Sequence, residues 1–260
     1  MIQRIAAFTY GVASYMVALV SFLYLAAFLG DFGISHSIDS APTGPIAVAL
    51  AVDLGLLLLF GLQHSVMARP GFKAVWTKIV PQVVERSTYV LFSSLALFVL
   101  FWKWQAIGGV IWDVQNDTAR IAMYALYALG WAIVLAVTFL INHFDLFGLR
   151  QVWLYLIGRP YTSIRFRMPG PYRLVRHPLY VGWLMVFWST PKMTAAHLVC
   201  AVAITAYILI AIRYEERDLV TMHPEYAEYR KRVPMLMPVG SSSQGKRGSL
   251  PAGAATEMEG

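Results

Sequence analysis

The sequence has little charge and almost no cysteine. Only 13% of its 260 residues are charged and 58% are hydrophobic, whereas an ordinary soluble domain carries roughly 25% charged residues. So few polar side chains cannot cover a water-soluble globule of this length. The single cysteine, Cys200, excludes an intramolecular disulfide and a zinc site built from cysteines alone. These shortages predict a protein whose surface faces lipid.

Two further absences narrow the function. There is no glycine-rich dinucleotide-binding loop, since Gly108 and Gly109 stand alone. No nucleic-acid-binding motif accompanies the net charge of +7, and basic loops between apolar blocks are typical of membrane topology signals. The first apolar run follows one basic residue, Arg4, and is too long for a signal-peptide core. We therefore predict a retained membrane span and no nucleic-acid partner.

Several apolar runs are long enough to cross a bilayer, which takes about 20 residues in a helix. The predicted spans are residues 5–29, 46–63, 87–102 and 121–141. A last apolar region divides at a Pro-Lys pair into residues 179–190 and 193–212, a helical hairpin with a short first arm. We predict an all-α, polytopic membrane helical bundle with five or six crossing helices and short cytoplasmic helices. Residues 1–239 form this domain, and the small, polar residues 240–260 form a disordered tail.

Lysine and arginine counts predict the orientation, because these residues concentrate in cytoplasmic loops. The connections on one side, with the termini, carry 18 of the 21 lysine and arginine residues, and those on the other side carry three. Both termini therefore lie in the cytoplasm if the chain crosses the membrane six times.

Ionisable residues inside predicted spans usually face the interior of a helical bundle. Asp53 lies in the second span, and His64 follows it by eleven residues, directly after that span, so both lie on nearly one helix face, roughly 16 Å apart. They either line a substrate passage or form hydrogen bonds between helices. The fourth span ends with four polar residues: Asn142, His143, Asp145 and Arg150. These either anchor the helix at the interface or bring an acid, a base and a cation to one depth.

Two charged segments flank the final hairpin. The first, residues 170–182, contains an Arg-His-Pro sequence, and the second, residues 213–219, contains a Glu-Glu pair. Because a hairpin returns its end near its beginning, we expect the two segments to meet at the cytoplasmic interface. Imidazole, phenol, carboxylate and guanidinium groups at this position would suit a polar cofactor whose reactive end points towards an apolar substrate.

The order and spacing of these segments resemble the membrane methyltransferase superfamily, which includes isoprenylcysteine carboxyl methyltransferases and phospholipid N-methyltransferases. The resemblance rests on Arg-His-Pro-Leu-Tyr-Val-Gly at 176–182, Arg-Tyr-Glu-Glu at 213–216 and Tyr-x-x-Tyr at 226–229. Stretches at 64–70, 85–89 and 142–151 resemble one branch, the bacterial membrane enzymes that convert methanethiol to dimethyl sulfide. With these stretches, the resemblance covers most of residues 1–238.

The resemblance implies S-adenosyl-L-methionine as the methyl donor, a small thiol as the substrate, no metal, and a position in the bacterial inner membrane. It also implies that the two motif segments form the cofactor pocket. The implied cofactor-binding residues are Tyr172, Arg176, His177, Pro178, Leu179, Tyr180, Gly182, Glu215 and Glu216.

Methyl transfer to a thiol requires removal of the thiol proton, since an alkanethiol is largely protonated at neutral pH. The predicted candidates for the base are His64, His143 and Asp145. The candidates for stabilising the thiolate are Arg69, Arg150 and Arg213. By the same resemblance, Arg213 corresponds to an arginine that holds the substrate carboxylate in the carboxyl methyltransferases. Positioning and desolvation of the thiolate offer an alternative without a dedicated base.

Two other functions stay open on the sequence alone. A lipid amine or a prenyl-cysteine carboxylate as acceptor keeps the cofactor but needs a lateral opening for a long chain, whereas a volatile thiol needs only a narrow path. A non-enzymatic membrane protein of denitrification resembles the first half of the chain. It should lack the Glu-Glu pair, which is present here.

Overall fold

The computed structural model describes residues 1–42, 44–162, 170–222 and 225–238. In chain order, the described elements are α1 (Ile2–Gly30), α2 (Ile46–Ala68), α3 (Pro70–Trp76), α4 (Gln82–Lys103), β1 (Val110–Asp113), α5 (Asp117–Ile141), α6 (His143–Leu146), α7 (Leu149–Leu156), a 3-10 turn (Gly170–Arg173), α8 (Pro178–Trp188), β2 (Lys192–Thr194), α9 (Ala195–Met222) and α10 (Tyr226–Arg232). Five helices, α1, α2, α4, α5 and α9, are long and apolar enough to cross a bilayer. The predicted all-α, polytopic helical bundle is confirmed. The predicted tail at 240–260 lies outside the described residues.

The long helices run between two ends of the bundle. We call one of them the motif end, because the segments 170–182 and 213–219 lie there. At this end the guanidinium of Arg69, directly after α2, lies 3.0 Å from the carboxylate of Asp218 in α9. Tyr155 in α7 lines a cavity together with Pro70, the residue after Arg69, and the guanidinium of Arg4 in α1 lies 5.7 Å from its ring centre. The first and last described segments therefore lie at the same end.

The final hairpin crosses the bundle with a short helix followed by an extended segment. Helix α8 has 11 residues and covers about 16 Å, which is less than the hydrocarbon thickness of about 30 Å. The chain then continues through Thr190 and Pro191, whose carbonyl oxygens accept hydrogen bonds from Trp112 Nε1 at 3.0 Å and Val114 N at 2.9 Å. It enters β2, which pairs antiparallel with β1 at the end of the bundle opposite the motif end. The hairpin thus goes out and back, and the chain runs six times between the two ends.

Helices α5 and α8 touch through two glycines. A Cβ atom on Gly130 would lie 2.9 Å from the Gly182 carbonyl oxygen, and a Cβ on Gly182 would lie 2.9 Å from Val134 Cγ2. A side chain at either position would force its neighbours in the facing helix to move. Small residues let membrane helices approach in this way. This contact fixes the first arm of the hairpin against the bundle.

The outward faces of the long helices are apolar. More than half of the surface of several large side chains is exposed, among them those of Leu23, Leu58, Ile121, Leu135 and Phe139. Helices can span a bilayer because they satisfy their own backbone hydrogen bonds, and lipid then solvates such side chains. The chain is therefore a multi-pass membrane protein.

Candidate active site

The two motif segments meet at one buried carboxylate. Glu216 Oε1 accepts hydrogen bonds from Arg176 Nε at 2.6 Å and from His177 Nε2 at 3.0 Å. All three side chains are almost completely buried. A buried ion pair persists only when hydrogen bonds satisfy both partners, and Glu216 receives two. The hairpin does return the Glu-Glu pair to the Arg-His-Pro sequence.

The C-terminal segment closes over this junction. Arg176 Nη1 donates to the Val233 carbonyl oxygen at 2.6 Å. The Tyr229 hydroxyl donates to the Tyr172 carbonyl oxygen at 2.5 Å. These bonds fix the loop that precedes α8. The three side chains of the junction do not line the cavity beside it, so their geometry supports a positioning role.

Glu215 and Tyr180 face that cavity. The Tyr180 hydroxyl donates to Glu215 Oε2 at 3.2 Å, and Leu179 lines the cavity beside them. Consecutive residues of a helix point about 100° apart, so Glu216 enters the junction while Glu215 reaches the cavity.

Burial and the neighbouring Glu215 carboxylate raise the pKa of Tyr172 to about 12. The Tyr172 phenol is therefore protonated at physiological pH.

The cavity has a volume of about 640 Å³, within the roughly 300–1,000 Å³ typical of small-molecule sites. It follows α9 from Asp218 to Cys200, roughly 27 Å of helix. At the motif end, charged and phenolic side chains line the cavity among apolar ones; they are Arg69, Tyr180, Tyr214, Glu215 and Asp218. The inner half is apolar and includes Leu25, Phe28, Leu29, Leu97, Leu100 and Cys200. One continuous space therefore joins a charged end to a hydrocarbon-like end.

A polar cluster marks the middle of this cavity. His64 and Ser65 of α2 and Tyr207 of α9 line it. The Ser65 and Tyr207 hydroxyl oxygens are 2.9 Å apart, and the Tyr89 hydroxyl lies 3.0 Å from each nitrogen of the His64 ring. Tyr207 is eight residues from Glu215, about 12 Å along α9. Of the three predicted bases, His64 is the one that the structure brings into this cavity.

Arg69 lies at the mouth of the cavity. Its guanidinium pairs with Asp218 at 3.0 Å and lies 5.3 Å from the ring centre of Tyr214. Both charged side chains are about half exposed, and exposed ion pairs contribute little to stability. These charges can therefore turn to a ligand at small cost.

His143 lies outside the cavity, in a cluster of its own. Its ring is within hydrogen-bonding distance of the Tyr15 hydroxyl, at 3.0 Å, and of Thr138 Oγ1, at 2.9 Å. It stacks on Phe139 with ring centres 4.3 Å apart. Burial lowers the pKa of His143, which favours the neutral ring in these contacts. The geometry supports a role in joining α1 to the end of α5.

The other predicted catalytic residues are also outside the cavity. Asp145 pairs with Arg150 at 3.1 Å and lines a second cavity, of about 1000 Å³, at the motif end. Arg213 is exposed on α9 and lines neither cavity. The catalytic roles predicted for them stay predictions. Asp53 is fully buried and accepts a hydrogen bond from Gln105 N at 2.8 Å, so the structure supports its interpretation as a link between helices.

Two of the predicted cofactor-binding residues have local structural reasons for their identity. Pro178 is the first residue of α8. A backbone amide at this position has no hydrogen-bond acceptor within the helix, so proline, which lacks the amide hydrogen, costs no hydrogen bond there. Gly182 faces α5 rather than the cavity. Their predicted contact with a cofactor stays a prediction.

The sequence did not lead us to four residues of the site, namely Tyr207, Tyr214 and Asp218 of α9 and Tyr89 of α4. The spacing of the three α9 residues relative to the predicted Glu215 could have revealed them. Tyr207, Tyr214, Glu215 and Asp218 follow the pattern i, i+7, i+8, i+11, which places them on one helix face. The fourth, Tyr89, had no such signal because its partner His64 lies on another helix.

Fold and site together define a class: a multi-pass membrane protein in which a helical hairpin closes one end of an elongated cavity. Comparison with known proteins narrows this class. A methanethiol S-methyltransferase of Crocosphaera subtropica is 53% identical over 244 residues, which cover 93% of this chain and 96% of that relative. One of Mycobacterium tuberculosis is 51% identical over 237 residues, covering 91% and 97%.

A more distant relative is Nurim of Sus scrofa, 32% identical over 183 residues that cover 67% of this chain and 69% of Nurim. No family model and no solved structure matches the chain. The identity and coverage of the first two relatives show that the chain belongs to the methanethiol S-methyltransferase family. It is a methyltransferase.

Proposed function

We propose that the chain transfers a methyl group from S-adenosyl-L-methionine to methanethiol and so forms dimethyl sulfide. The observation that carries this proposal is the graded lining of the cavity, charged at the motif end and apolar at the inner end. A charged cofactor and a small apolar thiol need opposite surroundings. The cavity offers both, with His64 between them.

The motif end suits the chemical groups of S-adenosyl-L-methionine. The guanidinium of Arg69 complements a carboxylate, and the carboxylates of Glu215 and Asp218 complement an ammonium group or the hydroxyls of a ribose. The rings of Tyr180 and Tyr214 suit an adenine face or a sulfonium cation. When bound, the cofactor would supply a methyl group from its positively charged sulfur, and this sulfur would become a neutral thioether after the transfer.

The chain's own residues prepare the acceptor. In the transfer, the thiol sulfur forms the new S–CH₃ bond, the sulfonium S–CH₃ bond breaks, and the thiol releases its proton. His64 lies where it can accept that proton, and the Tyr89 hydroxyl orients its ring. The apolar inner lining keeps water from the thiol, which leaves the deprotonated sulfur weakly solvated and reactive.

We further propose that the motif end faces the cytoplasm of a bacterium, on the inner membrane. The excess of lysine and arginine on this side supports that orientation. The charged mouth of the cavity then opens towards the compartment that supplies the cofactor, while the apolar inner half lies at the depth of the lipid.

The test is methyl transfer by purified protein in parallel reactions. Each contains S-adenosyl-L-methionine with methanethiol, a lipid amine or a prenyl-cysteine. We expect dimethyl sulfide in the headspace of the first reaction and no methylated product in the others. Absence of dimethyl sulfide contradicts the proposal, and methylation of the lipid amine or of the prenyl-cysteine alone would favour those acceptors.

A further inference from the structure

The inner half of the cavity is longer than methanethiol requires. Tyr207 marks the polar middle, and Cys200 marks the inner end seven residues earlier on the same helix. Seven residues of α-helix correspond to about 10 Å. Methanethiol carries one carbon atom, so a thiol whose sulfur lies at the middle leaves most of this length unfilled.

The lining of the inner half suits hydrocarbon. Phe28 and Leu29 of α1, Leu100 of α4 and Cys200 of α9 line it, and each is at most 4% exposed. Phe28 packs on Phe101 with ring centres 5.2 Å apart, which makes this wall firm. Apolar cavities of this kind stay dry and bind small apolar molecules. The wall therefore favours an alkyl chain over water.

We propose that the inner half binds the alkyl chain of the acceptor, so that the protein methylates short linear alkanethiols beyond methanethiol. This inference rests on the proposed function and extends its substrate class. The reaction is the same for each: the thiol sulfur gains the methyl group, the thiol loses its proton, and an alkyl methyl sulfide forms. The thiol group stays at His64, and each added methylene extends towards Cys200.

The first test is a homologous series from methanethiol to butanethiol. Each buried methylene contributes about 0.8 kcal/mol, so KM should fall about fourfold per methylene while kcat changes little. Free thiol concentrations are taken from the headspace, because longer thiols partition into detergent. A KM that is flat or rises from ethanethiol onwards would overturn the inference.

Two variants at one position provide a matched pair. Cys200→Leu adds a larger side chain to the inner end, whereas Cys200→Ala leaves the space open. We expect Cys200→Leu to raise the KM of butanethiol relative to that of methanethiol, and Cys200→Ala to leave this ratio of KM values as it is in the wild type. Equal chain-length dependence in the two variants would contradict a chain-binding role for the inner half.

Cys200 also allows a test that does not depend on activity, because it is the single cysteine of the sequence. Methyl methanethiosulfonate modifies its thiol, and an alkyl methyl sulfide in the cavity should slow this reaction. We expect butyl methyl sulfide to protect Cys200 at concentrations severalfold lower than dimethyl sulfide does. Equal protection or none would overturn the inference.

The outcomes separate the two proposals. If the protein methylates methanethiol but shows neither a chain-length dependence nor protection of Cys200, only the inference fails. If it methylates no thiol, the proposed function fails, whereas graded protection by the sulfides would still show a hydrocarbon-binding space.

Discussion

His64 lies midway along the cavity, between its charged mouth and its apolar inner half. Its ring stacks on Phe60, with ring centres 5.4 Å apart, and contacts the Tyr89 hydroxyl. Ser93 Oγ lies 3.3 Å from His64 Nδ1. These neighbours fix the orientation of the ring, which is what a general base needs before its substrate arrives.

Replacing His64 should therefore affect chemistry more than binding. We expect His64→Gln to lower kcat for methanethiol by about 10²–10⁴ and to leave the affinity for S-adenosyl-L-methionine within about twofold of wild type. The measurements are headspace dimethyl sulfide and calorimetric titration with the cofactor. His143→Gln is the matched control, since His143 lies in a different cluster. Full activity of His64→Gln would show that positioning and desolvation suffice without a base.

The adjacent glutamates Glu215 and Glu216 should have separable effects. Glu216→Gln weakens a buried pair with Arg176, and disruption of such a pair costs about 3 kcal/mol, so we expect a clearly lower melting temperature. Glu215 is half exposed at the cavity, so Glu215→Gln should leave the melting temperature nearly unchanged and weaken cofactor binding roughly tenfold. Melting curves with and without the cofactor measure both effects. The reverse pattern would show that Glu216, not Glu215, faces the cofactor.

At the scale of elements, the final hairpin positions the site. Its first arm is fixed by α5 at Gly182 and by the junction around Glu216, and its second arm carries Tyr207, Glu215 and Asp218 into the cavity. The polar groups of the site come from this pair of helices, from α2 with the residue that follows it and, in Tyr89, from α4. The hairpin therefore sets the distance between the motif end and the middle of the cavity.

A substitution at Gly182 can distinguish two roles for this residue: packing of α8 against α5, or direct contact with the cofactor. A Cβ there would meet the Gly130 carbonyl oxygen at 3.0 Å, so we expect Gly182→Ala to cost about 1–3 kcal/mol of stability as α8 moves from α5. Gly55→Ala is the control, because nothing lies within 4 Å of its added methyl group. Thermal melting compares the two. If Gly182→Ala melts like wild type but loses cofactor affinity, Gly182 contacts the cofactor directly.

Much of the element order follows from hydropathy alone. The four predicted spans and the divided hairpin correspond to α1, α2, α4, α5, α8 and α9, because lipid-facing helices must be apolar along their whole length. The β1–β2 pair was not predicted. Its strands have four and three residues, too few to show an alternating pattern, and a contact between distant loops sets their pairing.

The candidate site was predictable only in part. The proximity of Glu216 to His177 follows from hairpin geometry, and the inward position of His64 follows from its place directly after an apolar span, on nearly the same helix face as Asp53. The sequence could not separate His64 from His143, since each follows a span and lies near other polar residues. What distinguishes the two histidines is the helix that packs beside each ring. Tyr89 of α4 contacts His64, whereas Tyr15 of α1 contacts His143.

At the scale of the whole molecule, charge and topology agree. Six passes between the two ends bring the described termini to one end, and the motif end is the side that carries most of the lysine and arginine. Helix α8 is too short to cross the bundle by itself, but the extended segment after it completes the pass, so the number of passes is even. An odd number of passes would place the termini on opposite sides, in conflict with the distribution of charge.

Single cysteines added to the Cys200→Ala background measure this orientation in intact bacterial cells. A charged thiol reagent that cannot cross the membrane should label Gln115→Cys, which lies beyond β1. It should label Lys78→Cys and Met237→Cys only after the membrane is permeabilised, because both exposed positions lie at the motif end. Labelling of Met237→Cys in intact cells together with Gln115→Cys would mean five crossings. Labelling of Lys78→Cys and Met237→Cys but not Gln115→Cys would mean that the charged mouth of the cavity opens outside the cell, away from its supply of cofactor.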